Sequence, residues 1–289
     1  MRQVVIAIML AAASAALPQA QGRGGRGAPA APVAPRTAAP YDITGYWVAL
    51  VTDDWRYRML TPPKGNVDYL PVTAEGRRVT NAWDPAKDVA AGEQCKAYGA
   101  GGIMRLPARL HITWEDDNTL KMDIDAGTQT RRFFFENTPQ LATLHPAPAD
   151  ASWQGYSLAA WQMPPGGRGQ VARGAARFGQ LRVVTNHLRP GYVRRNGVPY
   201  GANATLTEYF VRLVDGGGQE YLVVTETLDD PTFFQPAYIK TYEFKSSEMR
   251  QAGIHGRASE KQGVRRRRAR TAEVNQCSCS VRTCRPDRN

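Results

Sequence analysis

The chain predicts an all-β fold, an antiparallel meander closing into a β-barrel, with a β-sandwich as the alternative and one short helix near residues 74–88. Three observations carry this. Residues 109–135 alternate apolar and polar positions through two successive hairpins, the period-two signature of strands with one buried face. About nine strand-like segments follow one another between residues 45 and 245, at a spacing that suits a barrel or a sandwich. A single stretch, Ala74–Asp88, has helical character, limited by Pro85 and Gly92.

Each element follows from its residues. Gly45–Thr52 is β-rich and apolar and is followed by Trp55-Arg-Tyr-Arg-Met59. In Arg109–Glu115, Leu110, Ile112 and Trp114 share a face; Asp116-Asp117-Asn118 then turns the chain. Thr119–Asp125 alternates Leu120, Met122 and Ile124, and Ala126-Gly127 turns again into Thr128–Phe135. Further strands read at Gly155–Gln162, Leu181–Leu188, Leu206–Asp215, Glu220–Leu228 and Ala237–Lys245, with Gly216-Gly217-Gly218 joining the third of these to the fourth. The Gly/Pro/Arg-rich stretch between Met163 and Gln180 reads as a surface loop.

Charge and aromatic residues divide the chain. Its 289 residues carry 37 Lys+Arg against 26 Asp+Glu, a net charge of +11. Residues 1–40 contribute +4 and residues 246–289 contribute +7, so residues 41–245 are neutral. All 26 Phe, Trp and Tyr lie between Tyr41 and Phe244, and a packed core needs such side chains. The basic balance therefore belongs to the flanks, and no nucleic-acid partner is expected. Met1-Arg2-Gln3 and the apolar run Val4–Leu17 have the layout of a signal peptide, with cleavage between Ala15 and Ala20. The expected organisation is a signal peptide at 1–20, a Gly/Pro/Ala-rich linker at 21–40, the β domain at 41–245 and a disordered basic tail at 246–289. The mature protein is expected to be secreted or periplasmic, monomeric and without stable membrane insertion.

The tail, with Arg265–Arg268 and Cys277, Cys279 and Cys284, admits another origin. Codons can be chosen for Ala252–Ala258 that, read one base earlier, spell Gly-Trp-Asn-Pro-Arg-Pro-Cys. A shifted reading frame is preferred here to a functional basic arm. In an exported protein the lone core thiol, Cys95, is expected to be structural or disulfide-bonded rather than catalytic.

Gly45-Tyr46-Trp47 is similar to the Gly-x-Trp start of lipocalin-like (calycin) barrels, a resemblance that implies a structural Trp47 packed across the closed end. A wider resemblance spans most of 41–245. Asp42-Ile-Thr-Gly-Tyr-Trp47, Thr61-Pro-Pro-Lys-Gly65, Trp83-Asp-Pro-Ala-Lys87, Trp153-Gln-Gly-Tyr156, Arg189-Pro-Gly-Tyr192 and Asn196-Gly-Val-Pro-Tyr200 resemble blocks of an uncharacterised family of exported bacterial proteins with a lipocalin-like β-barrel. What this implies is location and fold; it carries no activity. It also implies a Trp-Asn-Pro-x-Pro-Cys-like ending that the written frame lacks.

Site chemistry is sparse. No nucleophile elbow, zinc-protease helix, phosphate-binding loop or Cys-x-x-Cys pair occurs, and neither cofactor nor metal is expected. His111 falls on the face opposite Leu110 and Trp114. Two registers are open for the strands at 206–228. If Leu206, Glu208, Phe210 and Arg212 face inward, Glu208 or Glu226 is buried and must pair, with Arg212 or Arg56 as partner. If Tyr209, Val211 and Leu213 face inward, both acids are solvated. The leading expectation is a barrel that binds a small, largely apolar ligand with a polar end, using Trp55, Tyr57, Trp114, Glu208, Tyr209 and Arg212. The alternatives are a hydrolase-type enzyme using Glu208, or His187 with Arg189, and a structural or partner-binding envelope protein.

Overall fold

The computed structural model describes residues 33–135, 146–163 and 179–247, with the short pairs 279–280 and 283–284. The signal-like leader, the loop core at 164–178 and the Arg265–Arg268 run lie outside the described residues.

Nine strands close a barrel. They are drawn from β1 (Gly45–Leu50), β2 (Arg109–Asp116), β3 (Thr119–Ile124), β4 (Gln129–Phe135), β5 (Tyr156–Gln162), β6 (Gln180–Asn186), β7 (Gly191–Arg194), β8 (Val198–Tyr200), β9 (Thr205–Val214), β10 (Glu220–Asp229) and β11 (Tyr238–Ser246). Around the barrel the order is β1-β11-β10-β9-β6-β5-β4-β3-β2, while β7 and β8 form a separate hairpin. All nine barrel strands coincide with segments read as strands from the sequence, eight of them after residue 108 and the first from the apolar run at Gly45–Thr52. The departure from a pure meander is the parallel pairing of β4 with β5, Phe133 against Ser157 and Phe135 against Ala159. Parity requires it: strands of alternating direction cannot close a ring of nine without one parallel neighbour pair.

The expected single helix near 74–88 is two, α3 (Ala74–Ala82) and α4 (Pro85–Ala90), preceded by α1 (Pro35–Ala38) and α2 (Trp55–Met59). Thr73 caps α3 by accepting from the Gly76 amide at 3.1 Å, and Asp84 caps α4 by accepting from the Ala86 amide at 3.0 Å. Pro85 disfavours helical geometry at Asp84, so the chain breaks there and restarts. A 3₁₀ turn (Gln94–Tyr98) and α5 (Ala100–Ile103) follow.

The interior has two ends of different character. At the end where Trp47 pairs with Ser246, Trp47, Phe133, Phe135, Phe210 and Phe244 are buried in one apolar cluster. The segment before β1 seals this end. The Trp161 indole donates to the Pro35 carbonyl at 3.0 Å and the Tyr41 hydroxyl donates to the Phe210 carbonyl at 2.9 Å. Burial lifts the Tyr41 phenol to about 12. At the other end the β7–β8 hairpin and the β8–β9 and β10–β11 loops supply a second cluster, including Val193, Val198, Tyr200, Phe234 and Tyr238. Cys95 is buried beside Trp153 in a third, smaller cluster.

Candidate functional site

The alternation of β9 decides the register. Leu206, Glu208 and Phe210 are buried and point inward, while Tyr209 lies on the outer face. Across the ladder Glu226 stands opposite Glu208, also inward and 3% exposed. Two carboxyls therefore share the barrel interior between the apolar clusters.

Their cation comes from β4. Arg131 alternates with Phe133 and Phe135 on the inner face and reaches Glu208 with two hydrogen bonds, Nη1 to Oε1 at 2.7 Å and Nη2 to Oε2 at 2.5 Å. Arg131 Nη2 also donates to Thr185 Oγ1 at 3.2 Å, and that hydroxyl is 2.8 Å from Ser157 Oγ. Burial opposes the guanidinium charge, but the charge and hydrogen bonds of Glu208 outweigh it and raise the Arg131 pKa. Among the described residues no cation pairs with Glu226, and the Arg131 charge only partly offsets what raises it. Burial, and then the negative charge of Glu208, push its carboxyl well above the usual glutamate range. Among the described residues Arg131 Nε and Glu226 Oε1 are buried without a hydrogen-bond partner. One unspent donor and one unspent acceptor thus remain inside the barrel, a costly arrangement for a purely structural core.

Beyond this layer, towards the hairpin end, lie three further buried arginines, Arg58, Arg105 and Arg194. Contacts through Arg105 and Tyr57 link them. Arg58 Nε donates to the Arg105 carbonyl at 3.1 Å, Arg105 Nη2 donates to the Tyr57 carbonyl, and the Arg194 guanidinium lies 4.5 Å from the centre of the Tyr57 ring. Tyr238 and Tyr242 connect the two groups, feeling both Glu226 and Arg105 electrostatically.

The expected site residues are distributed unevenly. Glu208 and Tyr57 lie towards this polar end. Trp55 is 56% exposed on α2, whereas Arg58 of the same helix is buried. Trp114 packs at the apolar end against Phe135, ring centres 5.5 Å apart. Arg212 sits near the β9–β10 turn, paired with Glu220, so neither it nor the exposed Arg56 is the partner of the buried acids. Along a strand Arg212 is about 13 Å from Glu208, too far for the pairing expected of it. Tyr209 does not line the interior, since period two puts it on the face opposite Glu208. Trp47 is buried, its indole donating to the Ile43 carbonyl at 3.0 Å. Arg131 was not anticipated, although the alternation Gln129-Arg131-Phe133-Phe135 carries it.

The enzyme alternative invoked His187 with Arg189. His187 Nδ1 contacts Asn186 Oδ1 at 2.7 Å, whereas Arg189 pairs with Glu93 at 3.3 Å and stacks over Trp153 at 4.2 Å. The two side chains thus engage different neighbours. His111 stacks on Tyr46 with ring centres 4.0 Å apart. Among the described residues no group of three His, Cys, Asp or Glu side chains is placed to hold a metal ion.

Fold and site together define a closed β-barrel with a charged layer in its interior. Comparison with protein families, curated proteins and solved structures finds no match for the chain.

Proposed function

We propose that this protein is an exported binding protein whose barrel takes a small molecule by its polar end. The observation that carries the reading is the buried Arg131–Glu208–Glu226 layer, with one donor and one acceptor unspent. Three ionisable side chains inside a barrel sacrifice stability relative to apolar ones, and a polar ligand group is what such a layer suits. The ligand differs from the largely apolar one expected from sequence, because the apolar half of the interior is filled by Trp47, Phe133, Phe135, Phe210 and Phe244. Export rests on the signal-like residues Met1–Leu17. Native mass spectrometry of the protein purified from its own host tests the reading: a bound small molecule, lost from Arg131→Met, is expected. A wild-type protein that never carries a small molecule would count against it.

The filled apolar half also favours a second reading, an envelope protein that serves through its surface. That reading predicts no bound small molecule at all.

A further inference from the structure

We infer that Arg58, Arg105 and Arg194 form an anion site that takes a carboxylate or phosphate group of a small molecule. The inference rests on the ligand-binding reading above and names the chemistry of the ligand's charged group.

The first argument is charge balance. Arg58 has one carboxylate, the half-exposed Asp53, at 3.1 Å. Among the described residues Arg105 and Arg194 have no carboxylate within 4.0 Å, although each is only 3% exposed. A buried guanidinium is normally paired, because an uncompensated charge away from water is costly. Carbonyls do the work here instead: Arg105 donates to Tyr57 and Arg194 to Asp68 at 2.8 Å. Carbonyls satisfy N–H groups without neutralising them. Burial and mutual repulsion between Arg105 and Arg194 press on these charges, a load that an anion would relieve.

The second argument is unspent donors. Among the described residues Arg58 Nη2, Arg105 Nε, and Arg194 Nε and Nη1 are buried with no hydrogen-bond partner. Four N–H-bearing nitrogens on three buried guanidiniums, linked through the Arg105 and Tyr57 carbonyls, suit an oxyanion, which accepts several charge-assisted hydrogen bonds at once.

The third argument is local backbone geometry. The β7–β8 register shifts between Tyr192 and Arg194, so Val193 and Arg194 are both buried although adjacent. Such an irregularity re-aims a side chain, and here it turns Arg194 into the cap. The hairpin is thus shaped to deliver a cation to a place where, among the described residues, Asp54 acts on it from a distance but no carboxylate pairs with it.

The test uses the full chain at pH 7 and constant ionic strength, titrated with inorganic phosphate and separately with acetate. Thermal unfolding is expected to shift upward saturably with at least one of them, the stronger naming the preferred head group. The variants Arg105→Met and Arg194→Met should weaken that response at least about tenfold and, without added anion, should unfold no earlier than wild type. A quadruple Arg265, Arg266, Arg267 and Arg268→Gln variant removes the other basic cluster; it should keep the full response, and loss of response there would overturn the site. This variant decides the matter even if the Met variants fail to fold. A wild-type protein indifferent to both anions would overturn the inference. A neutral molecule found by mass spectrometry, with no anion response, would sink the anion site and leave the binding reading standing. Neither molecule nor response would remove both.

Discussion

Arg131 and Glu208, 77 residues apart in sequence, form a two-point ion pair at 2.7 and 2.5 Å with both side chains fully shielded from solvent. The pair spans the interior from β4 to β9, skipping two intervening strands. It defines the level at which the apolar packing of one end gives way to the polar chemistry of the other.

Breaking that pair on one side leaves a buried charge alone. Arg131→Met should cost about 3–5 kcal/mol, whereas Arg131→Met with Glu208→Leu should cost far less than the sum of the two singles. Urea unfolding of the four members of the cycle measures the coupling. Additive losses would show that the pair is solvated.

Glu226 gives stability a specific pH dependence. Its folded carboxyl is raised, so its contribution is fully present below the ordinary glutamate value of 4.5 and is lost as pH climbs through the raised folded value. Glu226→Gln cannot lose a proton. It should match wild type near pH 4 and exceed it at pH 8. Equal stabilities at pH 8 would place Glu226 in water.

Neighbouring residues on β9 should respond oppositely to truncation. Phe210 is fully buried beside Phe133, ring centres 5.5 Å apart, and Phe210→Ala should cost about 3–5 kcal/mol. Tyr209 faces outward, and Tyr209→Ala should cost less than about 1 kcal/mol. Denaturant midpoints for the two variants read the register directly; reversed losses would mean the strand presents its other face to the core.

The hairpin that carries Arg194 depends on Gly197. Its φ is +85°, and an added Cβ would lie 2.1 Å from Cγ of Trp83. Gly197→Ala should therefore cost about 1–3 kcal/mol and loosen the cap, seen as changed tryptophan emission and faster proteolysis near β7–β8. Unaltered emission and proteolysis would show that the cap seats without this contact.

The basic tail should be separable from the barrel. A chain ending after Ser247 keeps all of β11 and retains the neutral 41–245 region. It should unfold at the temperature of the full chain and lose retention on heparin. Retained heparin affinity would locate the responsible charge within residues 1–247.

Strand positions were legible in the sequence because a strand's two faces meet different solvents, which stamps a period of two on residues such as Leu110, Ile112 and Trp114. Local turn chemistry did the same for Asp116–Asn118. The sequence by itself also placed Glu208 and Glu226 on faces shared with leucine and phenylalanine, and so raised the possibility of buried acids. It did not decide which face was inner, because both faces of 206–213 carry large apolar residues and only closure against β10 and β6 selects one. Nor did it name Arg131 as the partner, since that contact is made across the interior rather than along or between adjacent strands. The arginine cluster is the extreme case. Arg58, Arg105 and Arg194 come from a helix, a loop and a hairpin, and their proximity exists only once these segments fold over the same end of the barrel.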